Sequence, residues 1–204
     1  MTKKDIFIDN NIAKNFSNPL DPEYKKLIKW LIEFNSDPKN IHNNAHLVVS
    51  QKLMAEYYRT MGHAASGNNI AVIINLLTQQ GRLNRISNDQ IKEFKQKYFT
   101  NKVKRRLTSN EEDREHIPVV LLSDRKYALT LDEKFTADLL DFPSFTATVA
   151  KKPSDQQFQI QKVANNTDVS IKIGIKILRK PKLQFHSDNA REGSNFQYYS
   201  RFST

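Results

Sequence analysis

A three-layer α/β/α domain around a central, mostly parallel β-sheet is predicted over residues 1–150, and three features of the sequence predict it. Short runs that are apolar throughout, rather than alternating, suit strands buried on both faces. Each run is followed by segments with apolar residues at helical spacing, so strands and helices alternate along the chain. Glycine is scarce, with five in 204 residues, and no run approaches the roughly 20 apolar residues of a membrane helix.

The first run, Asp5-Ile6-Phe7-Ile8-Asp9, reads as a buried strand, followed by a turn and a short helix over residues 10–16. Asp21-Pro22-Glu23 is a helix start, with Asp as N-cap and Pro in the first turn, and Leu27, Ile28, Leu31 and Ile32 continue it at helical spacing. Trp30 on this helix is expected in the core. After an Asn-rich loop, His46-Leu47-Val48-Val49-Ser50 is the second strand, and residues 51–60 and 68–80 are helices, the latter closed by Gly81. Another helix is predicted over 87–98. Ser109-Asn110-Glu111-Glu112 has the spacing of a capping box, opening a helix to about Leu122 that Pro118 must kink or confine to its second turn. Tyr127 to Leu131 is the third strand, Glu133 to Leu140 a helix, and Phe145 to Val149 the fourth strand.

Charge divides the chain. The 204 residues carry a net charge of +10, yet residues 151–204 hold ten Lys/Arg against four Asp/Glu, while residues 1–150 are close to balance with 22 against 18. A boundary near Lys151-Lys152-Pro153 therefore separates residues 1–150 from a basic C-terminal extension, 151–204. In the extension, residues 158–163 and 169–177 alternate apolar and polar positions around Asn165-Asn166-Thr167-Asp168, which predicts a β-hairpin. The surplus positive charge predicts a polyanionic partner. The absence of cysteine excludes disulfides, thiolate metal sites and thiol nucleophiles. With no signal-like or membrane segment, a cytoplasmic location is expected.

In an open α/β sheet, functional groups gather at the carboxyl edge of the strands. Asp9 closes the first strand, Glu56 lies early on the helix after the second, Asp113 is in the first turn of the capped helix, and Asp132 follows the third strand. Each acid has a plain structural role open to it: a cap for Asp9 or Asp132, a solvated helix position for Glu56, a helix-dipole acid for Asp113. Four such coincidences at one edge favour a shared cause. Clustered carboxylates repel and must be neutralised by cations or protons. Mg2+ and Mn2+ prefer oxygen ligands and take one or two carboxylates each. Asp124 and Asp138 are expected at the surface, and His116 as a structural histidine.

These residues also resemble a known family. Ile6-Phe7-Ile8-Asp9-Asn10-Asn11-Ile12 resembles the opening strand and first acid of PIN-domain ribonucleases. Val48-Val49-Ser50 leading to Glu56 is similar to their second strand and second acid. Asp113-Arg114-Glu115-His116 with Ala128-Leu129-Thr130-Leu131-Asp132-Glu133-Lys134-Phe135 resembles their late block. The resemblance spans residues 4–150 and implies a PIN-like fold, with Asp9, Glu56, Asp113 and Asp132 as catalytic metal ligands and Asn10 and Thr130 as polar neighbours. Glu111, Glu112 and Glu115 stay open as alternatives for the third acid. It further implies Mg2+- or Mn2+-dependent endonucleolytic cleavage of RNA, with DNA also open as substrate, and an antitoxin, another protein partner or a homodimer. The basic stretch of Lys95, Lys97, Lys102, Lys104, Arg105 and Arg106 is a candidate contact for the RNA backbone, or simply a solvated face. The alternative is a non-catalytic RNA- or protein-binding module on a degenerate PIN scaffold. A phosphatase-type enzyme is disfavoured, because Asn10-Asn11 follows Asp9 where an Asp-x-Asp is needed.

Overall fold

The computed structural model describes residues 3–17, 21–60 and 70–153. Their five strands, β1 (Lys4–Ile8), β2 (Ala45–Val49), β3 (Leu83–Arg85), β4 (Tyr127–Leu129) and β5 (Thr148–Ala150), form one sheet in the order β3-β2-β1-β4-β5. Every pairing is parallel. The sheet is apolar on both faces, with Ile6, Phe7, Ile8, Leu47, Val48, Ala128 and Leu129 all fully buried.

The helices are α1 (Asn10–Ala13), α2 (Pro22–Ile32), α3 (Gln51–Thr60), α4 (Ile70–Gln79), α5 (Asn88–Tyr98), α6 (Asn101–Arg106), α7 (Glu111–Arg114), α8 (Ile117–Leu121) and α9 (Glu133–Leu140). Helices α2 and α4 pack on each other and on β2, whereas α8 packs between α5 and α9. Right-handed crossovers account for this division. The chain moves outward from β1 to β3 with helices on one face, then returns to β4 and β5 with helices on the other. The expected three-layer α/β/α arrangement is therefore present, and Trp30 is buried in its core.

Strand β3 was absent from the sequence expectation. Leu-Asn-Arg is three residues long with two polar positions, and it forms the sheet edge beside β2, so neither apolar run nor alternation marks it. The last strand begins at Thr148 rather than Phe145. The capping box expected at Ser109 is also corrected. Asn110, not Ser109, caps α7, accepting from Asp113 N–H at 2.8 Å. The expected single helix is two, and Pro118 sits without penalty in the first turn of the second.

Ser109 is diverted by Asp138. That carboxylate, expected at the surface, is only 4% exposed and accepts from the amides of Thr108 and Ser109 at 2.8 and 2.9 Å and from both their hydroxyls. It ties the α6–α7 connection to α9, which helps place Asp113. Asp138→Ala, which orphans these donors, is expected to cost about 2 kcal/mol, read as a shift in the urea midpoint of the full chain. The hairpin predicted over residues 158–177 falls outside the described residues, which end at Pro153.

Candidate active site

Connections from β1 and β4 leave in opposite directions, so a crevice opens between the carboxyl ends of these neighbouring strands. Asp9 stands at the end of β1, its amide donating to Leu129 O at 2.8 Å as a last rung of the ladder. Although Asp9 occupies the N-cap position of α1, its side chain caps nothing. Instead its Oδ2 accepts from Asn11 Nδ2 at 2.9 Å and from the buried Thr130 hydroxyl. The same Thr130 oxygen accepts from Asp132 N–H at 3.0 Å. Thr130 thereby couples the two strand-end acids. Burial pushes the Asp9 carboxyl above its ordinary pKa, against the lowering effects of the Thr130 bond, His116 and the amides of Asn11 and Asn10.

Asp132 does serve as the cap of α9, one oxygen accepting from Phe135 N–H at 2.6 Å. A capping role and a place at the crevice thus coincide in one residue.

Helix α3 carries Glu56 into the site because its next residue, Tyr57, is fully buried and donates its hydroxyl to Ile8 O at the end of β1. One turn on, Thr60 donates to Asn10 Oδ1 at 2.8 Å. Glu56 faces His116, whose Nε2 lies 3.1 Å from both carboxylate oxygens. The imidazole, 4% exposed, also packs 5.8 Å from the Phe7 ring. Burial alone raises the Glu56 pKa, but the His116 bond and charge, with Lys52 and Arg59, outweigh it and hold the carboxyl below its ordinary value.

Asp113 comes from the first turn of α7. Burial, then the negative charges of Asp132, Asp9 and Glu56, push its carboxyl up, with His116 acting against them. All four expected acids therefore share one electrostatic neighbourhood. Glu56, Glu112 and Asp113 line an open cleft of about 270 Å³ together with Asn10, Arg59 and Thr60. Among the described residues, however, no three Asp, Glu or His side chains converge tightly enough to ligate a single ion.

Four neighbours were missed from sequence. The side chain of Asn11, not that of Asn10, bonds Asp9 and Thr130. His116, expected to be structural, touches a site acid; it lies one helical turn past Asp113, which was the signal available. Lys52 and Arg59 flank Glu56 on its own helix at i−4 and i+3. The four cations of α6 are exposed, and Arg106 lines a separate pocket of about 80 Å³ beside Asp138.

No protein-family model matches the chain, and no curated protein matches it. Among solved structures it is similar to a chain in the crystal structure of VapBC2 from Rickettsia felis bound to a DNA fragment from their promoter. Identity is 13%, the TM-score is 0.44, and the match covers 71% of this chain and 98% of that one.

Proposed function

We propose that this chain is a metal-dependent endoribonuclease. The supporting observation is the gathering of Asp9, Glu56, Asp113 and Asp132, from four separate segments, at the one crevice where strand connections diverge. Their donor chemistry fits a hard divalent cation. All four offer carboxylate oxygens, and Asp113 sits among the like charges of Asp132, Asp9 and Glu56. Mg2+ completes its shell with water, so one or two of these carboxylates per ion suffice. Bound there, Mg2+ or Mn2+ supplies a water of lowered pKa and offsets charge on the phosphate.

The remaining work falls to the chain itself. Thr130 and Asn11 fix the Asp9 carboxylate, and His116 fixes that of Glu56. Asn10 lines the cleft beside the substrate, and the α6 cations Lys102, Lys104, Arg105 and Arg106 add long-range attraction for RNA. The family resemblance also implies an antitoxin-like or other protein partner, or a homodimer. No helix among the described residues is long and apolar enough to cross a membrane.

Incubation of single-stranded RNA with the full chain tests this. Cleavage is expected with added Mg2+ or Mn2+, and its loss with EDTA. One observation favours the rival, a non-catalytic RNA-binding module: no three potential ligands cluster among the described residues. Salt-sensitive RNA binding without cleavage at any metal concentration would decide for that rival.

A further inference from the structure

We infer that a second cleft, between the start of α3 and α5, holds the sugar–phosphate backbone of the RNA beside the bond to be cut. This rests on the nuclease assignment above and extends it to where the strand lies. The cleft has a volume of about 360 Å³ and is open to solvent, at the lower end of the ligand-sized range. Among the described residues, Lys52, Lys92 and Lys95 line it with one acid, Glu115.

Its position relative to the acids carries the inference. Lys52 Nζ donates to Glu112 O at 3.2 Å, and Glu112 lines the acidic cleft. Lys52 and α7 therefore form a wall common to both clefts. Among the described residues, Glu56, Glu112 and Asp113 face Arg59 on one side, and three lysines face Glu115 on the other. Lys95 is ion-paired with that glutamate. A polyanion is repelled by the acidic cleft taken alone, so it needs cationic surface next door to bring one phosphate there.

The chemistry of the cleft fits a nucleic-acid backbone. Lys92 and Lys95 are three apart on α5, which puts their Cβ atoms about 5–6 Å apart on one face. Lysines act as point charges on phosphate oxygens without reading bases, and among the described residues no arginine lines the cleft. Lys92 is exposed and forms no ion pair among the described residues.

The test uses the full chain carrying Asp9→Asn, so that RNA is bound and not cut, with a fluorescein-labelled single-stranded oligouridine followed by anisotropy across a salt series. Adding Lys92→Ala is expected to weaken binding about fivefold and to flatten the slope of log K against log salt by about 0.7. Alanine is the best helix former, so α5 persists. Lys25→Ala with Lys26→Ala, exposed on α2, is expected to change binding much less. Unaltered binding in the Lys92 variant overturns the inference. So does a loss confined to Lys102→Ala with Lys104→Ala, which moves the track to α6. Failure of the nuclease assignment shows elsewhere, as metal-independent cleavage or none in the otherwise unchanged chain.

Discussion

Replacing Asp9 with asparagine is expected to remove RNA cleavage while leaving the thermal midpoint unchanged or raised. Asparagine keeps an oxygen able to accept from Asn11 and Thr130, which now bond Oδ2, so the end of β1 retains its geometry. The stability sign follows from titration. Burial raises the folded-state pKa of Asp9 above its unfolded value near 3.8. The folded state thus holds the proton more readily. Ionisation of Asp9 lowers stability as pH rises through the folded pKa, and that cost is present in full above it. A neutral amide removes it. The same change deletes a charge that the proposed metal needs, and losing about 3–4 kcal/mol of transition-state stabilisation slows cleavage by roughly 10²–10³-fold. Single-turnover cleavage and a thermal melt on the same preparation check both halves. Cleavage within threefold of the parent would remove Asp9 from the mechanism; a lost activity with a lowered midpoint would make it structural.

That opposition between function and stability was legible in part. Asp9 and Asp132 follow apolar runs whose ends are visible in sequence, and strand ends at a carboxyl edge are where reactive groups collect. Glu56 and Asp113 could be placed on helices, but not oriented. What orients them is tertiary: Tyr57 reaching Ile8 across 49 residues and His116 reaching Glu56 across 60. Asp138 failed for the same reason. On α9 it looks like any polar helix residue, and its burial depends on donors at Thr108 and Ser109, 30 and 29 residues away. Ser109 then lost the cap expected of it, because its hydroxyl has a charged acceptor and Asn110 stands ready to serve instead. Local pattern therefore located elements well and misjudged polar side chains whose partners lie far off in sequence.

Arg82 is the clearest of these hidden partnerships, and Arg82→Met is expected to destabilise the chain by about 4 kcal/mol. It is 2% exposed, immediately before β3. Its guanidinium donates to Leu31 O at 2.8 Å, to Glu33 O and Ala45 O at 3.1 Å, and to Ile32 O at 3.4 Å, with Gln80 as a further acceptor. Leu31 and Ile32 end α2, where carbonyls lack helical partners and the dipole favours a cation. Burial pulls the guanidinium pKa down to about 10, which still leaves it charged at neutral pH. Methionine fills similar space and satisfies none of these carbonyls; lysine keeps the charge but lacks the fork, so Arg82→Lys is expected to recover only a fraction. Because Arg82 bonds Ala45 at the start of β2, it lies at the edge of the sheet opposite the acids. Cleavage per folded molecule should therefore survive in Arg82→Met at low temperature, the reverse of the Asp9→Asn pattern. Urea unfolding monitored by circular dichroism measures the loss, and a cost below 1 kcal/mol would show that water serves the α2 carbonyls as well as the arginine does.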